Sequence, residues 1–220
     1  AKMIGPEKQR EFLSSLGFTK PTSVEMIEAS GGKPLLPKRW NELETMTISY
    51  GHGISVTPLH LATGYAMLAN GGRLVQPTLL EEVKSNLGPR IISKEVADKS
   101  LAMLRGVVMD GTASIADISG YFIGGKTGTA DKPSSQGGYD KEKNITNFAS
   151  IFPINEPKYV LVVTLDEAQD TSGPEPKRTA GWTAVPVSAE IIARVAPLLG
   201  LRPKFDNQTT VDVTLSNWQE

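Results

Sequence analysis

The chain has 220 residues, a formal net charge of −1, 39% hydrophobic and 21% charged residues, and no cysteine. This leaves room for one large domain or two small ones of ordinary globular composition. It gives no broad electrostatic case for nucleic acid, and it excludes disulfides, thiol catalysis and cysteine-ligated metals. His52 and His60 are the only histidines, too few for a histidine-rich metal site, and no apolar run is long enough to span a membrane or marks a secretory signal.

Residues 6–17, PEKQREFLSSLG, predict a short amphipathic helix. Pro6 suits its first turn, Phe12, Leu13 and Leu16 supply the apolar stripe, and Gly17 suits the stop. Residues 28–45 place Gly31, Gly32, Pro34 and Pro37 among polar groups and read as a long surface loop. Ser30-Gly-Gly-Lys33 fits S-x-x-K by letter. That chemistry needs Ser and Lys one helical turn apart, so that the amine reaches the hydroxyl. Two glycines followed by Pro34 argue against such a helix. Tyr50-Gly51-His52-Gly53 reads, from the residues alone, as a turn with a surface histidine. Thr57 as N-cap and Pro58 at the first helical position open a heavily apolar helix that ends at Asn70-Gly71-Gly72.

Residues 73–92 give two short extended pieces around Pro77 and Gly88. Ser93 to Met109 predicts a second helix, with Ala97, Leu101, Leu104 and Val108 in helical spacing and Met103 and Val107 widening the stripe. The next segment, Tyr121 to Ala130, is YFIGGKTGTA. Tyr121-Phe122-Ile123 reads as a β-strand, and the continuation puts Lys126 and Gly128 on one face and Thr127 and Thr129 on the other. Gly120 to Thr127 also satisfies the nucleotide-binding pattern G-x-x-x-x-G-K-[ST]. Its context opposes that reading: the loop positions are bulky, and the following GTADKPSSQGGYD cannot start a long helix. Residues 131–145 read as a polar loop. Phe148–Phe152 and Tyr159–Leu165 form a hairpin signal around Pro153 to Pro157. After a second polar loop, 166–180, a helix runs from Trp182 to about Ala196. Its stripe is Val187, Ile191 and Val195, with Ile192 widening it, and Pro197 ends or kinks it. VDVTL, 211–215, alternates enough for an edge strand. The sum is an α+β chain: an antiparallel sheet with flanking helices.

Five blocks in order, SYGHGISVTPLHLATGYAMLANGG, VVMDGTAS, GGKTGTADK, NFASIFPINEPKYVLVVTLDE and GWTAVPVSAEIIARV, resemble the transpeptidase domain of class B penicillin-binding proteins, most of all the division-specific septal type. K-T-G is the third signature of penicillin-recognising serine enzymes, beside S-x-x-K and S-x-N. The resemblance implies the C-terminal portion of a penicillin-binding/β-lactamase-like transpeptidase fold over residues 1–200, with a tail at 201–220. It implies an acyl-serine mechanism acting on the D-Ala–D-Ala end of a peptidoglycan stem peptide, with β-lactams acylating the same serine, and no cofactor. Lys126 would hold and polarise the S-x-N hydroxyl. Thr127 and Thr129, with Gly128 between them, would bind the terminal carboxylate, and the Thr129 N–H would be an oxyanion-hole donor. Tyr50 and His52 match a loop that lines the cleft.

This sequence has no credible S-x-x-K and no S-x-N. In the family both precede the stretch that Ala1–Gly5 resembles. The expectation is therefore a transpeptidase domain cut just after its second motif and unable to form an acyl-enzyme by itself. Such a chain exposes apolar surface and associates with the missing N-terminal part or with itself. The parent protein would sit at the periplasmic face of the inner membrane and meet division proteins. A non-catalytic peptidoglycan- or protein-binding module of the same fold, and a β-lactamase or carboxypeptidase relative, stay open at this point.

Overall fold

The computed structural model describes residues 1–81, 87–134 and 137–205. The helices are α1 (Pro6–Ser15), α2 (Glu42–Ser49), α3 (Pro58–Ala69), α4 (Lys94–Met109) and α5 (Ala184–Leu198), with single 3-10 turns at Ile27–Gly31 and Ser114–Ala116. The strands are β1 (Arg73–Val75), β2 (Leu87–Arg90), β3 (Gly124–Pro133), β4 (Tyr139–Phe152) and β5 (Tyr159–Asp166). β1 and β2 form a small antiparallel ribbon, and the main sheet is antiparallel in the order β3-β4-β5.

The middle strand shows how the layers stack. β4 is buried at every position from Phe148 to Phe152, which requires cover on both faces. Phe148 and Phe152 point into a core shared with Val163 of β5 and Val185, Ile192 and Ala196 of α5. Ala149 and Ile151 are buried outside that cluster, and α3 lies against β4 and β5 there with its buried Met67. α4 lies against β3. The sheet is thus clasped between helices, with β3 at one edge.

Local signals explain most element ends. The Thr57 hydroxyl accepts from the His60 N–H, and the His60 Nδ1 accepts from the Thr57 N–H, a reciprocal cap that starts α3. Ser93 caps α4 through the Val96 N–H at 3.2 Å. His60 is buried, its Nε2 2.7 Å from the Lys20 carbonyl oxygen, so it is a satisfied structural histidine donating from Nε2.

Several expectations need correction. The strand carrying the motif begins at Gly124, so Tyr121–Ile123 lead into it rather than belonging to it. Ile123 is buried in the core there and the Phe122 carbonyl accepts from the Ile154 N–H, so these residues anchor instead of pleating. The polar stretch 131–145 is mostly strand. β3 runs on to Pro133 and β4 starts at Tyr139, making an exposed two-stranded arm. The loop at 28–45 contains the first 3-10 turn and the start of α2, which Asn41 caps by accepting from the N–H groups of Leu43 and Glu44. α5 buries Ala184, Val185, Ser188, Ile192 and Ala196, a stripe displaced from Val187, Ile191 and Val195 because small residues let the helix approach the sheet closely. Met103 is exposed on α4, not part of its stripe. α5 begins two residues after Trp182 and continues one residue past Pro197. The possible strand at 211–215 lies outside the described residues.

Candidate functional site

Lys126, Thr127, Gly128 and Thr129 all lie on β3, paired in register with Ala149, Phe148, Asn147 and Thr146 of β4. The pairing fixes their backbone to the most buried strand of the molecule. β3 is an edge, and among the described residues no further strand pairs with its other side. A Cβ at Gly128 would stand 2.6 Å from the Asn147 side-chain amide, so the amide would have to move to admit any side chain there. Asn147 therefore covers the strand opposite the threonine face, a role no local pattern announced.

The threonine face is a chain of hydroxyls. Thr127 Oγ1 is 2.8 Å from Thr112 Oγ1. Thr129 Oγ1 accepts from the Ala180 N–H at 3.0 Å. Across the ladder from Thr129, the fully buried Thr146 accepts from the Thr183 hydroxyl at 3.0 Å. The turn that leads into α5 is thus fastened to both β3 and β4. Lys126 is exposed, and its ammonium bends back onto its own strand, donating to the Thr127 carbonyl at 2.9 Å and reaching Thr127 Oγ1 at 3.4 Å.

Tyr50 and His52 reach β3 farther along. Their loop joins α2 to α3, and the His52 ring stands edge-on to Tyr50 at 5.5 Å and to Tyr139 of β4 at 5.4 Å between centroids. With Leu35, Leu36, Ala130 and Asp131 the loop lines a cavity of ≈ 300 Å³. This cavity adjoins the motif at Ala130 but does not include Lys126–Thr129. Tyr139 is the residue that brings the loop and the arm together, and its place in a polar sequence run gave no sign of it. Two larger cavities, one beside α4 and one beside Trp182, do not touch the motif either.

Lys132 closes the far end of the strand. Its ammonium lies 2.5 Å from Asp166 Oδ1 and 2.7 Å from Glu167 Oε1 at the end of β5, and those carboxylates hold its pKa above the ordinary lysine value. Ser30 sits in a 3-10 turn with its hydroxyl donated to the Ile27 carbonyl, and Lys33 lies beyond the end of that turn. The helical geometry that an S-x-x-K nucleophile requires is not formed there. Among the described residues there is no cluster of three metal-ligating side chains and no helix long and apolar enough to cross a membrane.

What the site offers chemically is an exposed ammonium, two threonine hydroxyls spaced along a strand edge, and backbone amides between them. That combination suits an anion approaching edge-on. The family profile for the penicillin binding protein transpeptidase domain matches residues 1–193. The probable peptidoglycan D,D-transpeptidase FtsI of Caulobacter vibrioides is 31% identical over 218 residues, covering 94% of this chain and 36% of that protein. The peptidoglycan D,D-transpeptidase FtsI of Escherichia coli K12 is 31% identical over 201 residues, covering 90% and 33%. The chain therefore spans about a third of the length of these curated relatives. Among solved structures, the apo transpeptidase domain of Burkholderia pseudomallei penicillin-binding protein 3 superposes with a TM-score of 0.79 at 32% identity, over 91% of this chain and 60% of that one. Penicillin-binding protein 3 of Mycobacterium tuberculosis in complex with ampicillin gives 0.77 at 25% identity, over 94% and 49%.

Proposed function

The chain belongs to the penicillin-binding protein transpeptidase family, division-specific class B type, and on that footing we propose that it supplies one wall of a peptidoglycan D,D-transpeptidase site. The observation that carries this reading is K-T-G-T on an edge strand, with Lys126 and Thr129 exposed and Thr127 half-buried. In the proposed reaction a serine oxygen attacks the carbonyl carbon of the D-Ala–D-Ala bond. The terminal D-Ala leaves as an amine, and an amino group of a second stem peptide then displaces the serine to form the cross-link. Thr127 and Thr129 hold the terminal carboxylate. The Thr129 N–H faces the developing oxyanion, a type of contact worth about 3 kcal/mol in the transition state. Lys126 turns from its own strand to donate to the hydroxyl of an S-x-N motif. Tyr50 and His52 line the cleft beyond. Residues 1–200 form the C-terminal portion of the domain.

The 220 residues hold neither a helical S-x-x-K nor an S-x-N, so the nucleophile and its hydroxyl partner belong to other residues of the domain and this chain alone is inactive. The packing of the first fifty residues supports a covering segment. α1 has no buried residue, and Met3, Ile4, Ile27, Leu35 and Leu43 are exposed. We place the complete protein in septal wall synthesis on the periplasmic side of the inner membrane, with division proteins as partners, on the strength of the FtsI relatives. Intact-mass measurement after incubation with benzylpenicillin tests the proposal. The full-length protein is expected to gain one penicilloyl group and the 220-residue chain none. An adduct on the chain alone, abolished by Ser30→Ala, would overturn the assignment of the nucleophile.

A further inference from the structure

We propose that Thr112 is a positioning residue that turns the Thr127 hydroxyl into a one-way donor toward a carboxylate. The proposal rests on the reading of Thr127 as a carboxylate contact, and deepens it. A threonine hydroxyl has one proton to give and two lone pairs to accept with. A lysine ammonium can only donate, so the Lys126 Nζ at 3.4 Å takes an acceptor position on Thr127 Oγ1. Thr112 Oγ1, at 2.8 Å, is able to play either part. When an anion arrives, Thr127 gives it the only proton it has. Lys126 leaves Thr127 when it turns to the S-x-N hydroxyl, and Thr112 then donates inward and holds a lone pair of Thr127. The carboxylate receives a hydroxyl already oriented by Thr112.

The seat of Thr112 is built for this. It follows α4, and the next residue, Ala113, is fully buried with its N–H donated to the Val107 carbonyl at 3.2 Å. On its other side the Thr112 carbonyl is so close to Gly181 that a Cβ there would stand 2.9 Å from it. Gly181 belongs to the turn whose Ala180 N–H donates to Thr129. The backbone that carries Thr112 is therefore wedged between the end of α4 and the turn that fastens the second motif threonine. Thr112 itself is exposed. Without its hydroxyl the Thr127 side chain is free to sample other staggered rotamers, and its proton loses a fixed direction.

The test uses the full-length protein with Thr112→Val, which keeps the shape and removes the hydroxyl, and Thr112→Ser, which keeps the hydroxyl. Acylation rates are measured with benzylpenicillin and with its methyl ester, which lacks the carboxylate. In Thr112→Val the rate with the acid is expected to fall about ten-fold, the scale of one hydrogen bond to a charged group, and the rate with the ester to stay level. Thr112→Ser restores the acid rate. Equal rates for wild type and Thr112→Val, or the same loss with acid and ester, overturn the proposal. If wild type forms no adduct, the transpeptidase reading fails by itself. Calorimetric binding of N-acetyl-D-Ala-D-Ala against its C-terminal amide then decides on Thr112. Acid-over-amide preference lost in Thr112→Val sustains the proposal, and preference retained, or absent from wild type, ends it.

Discussion

The motif, Lys126–Thr129, and the aromatic loop beside Ala130–Pro133 lie along successive stretches of β3, yet they are held by different means. Lys126–Thr129 are laddered to β4 where it is buried on both faces, so their geometry is inherited from the core. The Tyr50–Gly53 loop meets β4 at Tyr139, out on the exposed arm, mainly through ring edges. The first region cannot shift without disturbing Phe148 and the helices that cover it. The second can be re-seated at a cost of about one aromatic contact. The two regions therefore differ in what a local disturbance would cost: the motif draws on the core, the loop on its own few contacts.

The largest effect should come from removing the core beneath the motif. Phe148→Ala is expected to lower stability by about 3–5 kcal/mol, read as the midpoint of chemical denaturation. A loss below about 1 kcal/mol would show that the strand does not rest on that core. A smaller effect, on the motif alone, is expected from Gly128→Ala, whose methyl meets the Asn147 amide. The cost is about 1–3 kcal/mol, and adding Asn147→Ala should recover part of it; no recovery would mean that the strain lies in the backbone. Tyr139→Ala should cost about 1 kcal/mol and speed amide exchange at 51–55 while leaving 148–152 protected. If both segments quickened together, the two regions would be one cooperative unit. The smallest effect at neutral pH concerns α3, which follows the loop. Burial pushes the Tyr65 hydroxyl up to about 12, whereas an unfolded tyrosine ionises near 10. The unfolded state thus loses its proton first, and stability should fall between about pH 10 and pH 12. Tyr65→Phe should remove that part of the decline.

What the sequence made legible follows from where the ordering forces act. α3 and α4 were readable because their caps, Thr57-Pro58 and Ser93, sit next to the residues they serve. α2 carried the same kind of signal in Asn41-x-x-Glu44, but the glycines and prolines from Gly31 to Pro37 outweighed it. The stripe of α5 was misplaced because bulk was taken as burial, whereas Ala184, Ser188 and Ala196 fit closest to the sheet. The hairpin arm was invisible because neither of its faces is buried enough to impose alternation. In the site, K-T-G-T could be read directly. Its supports could not: Thr112, Asn147 and Ala180 reach it from 15, 19 and 51 residues away, by contacts that only the fold creates.

The hydroxyl of Thr129 is already engaged by the Ala180 N–H. Two residues past Ala180, the Trp182 indole carries the Lys177 ammonium 3.3 Å above its ring centroid. A carboxylate can take the Thr129 proton while the Ala180 N–H keeps its place on a lone pair, so a bound anion is linked through that bond to a turn that holds a fluorophore beneath a positive charge. The protein thus contains its own optical gauge. Occupancy at the strand edge should register as a change in Trp182 emission, before any covalent bond is made.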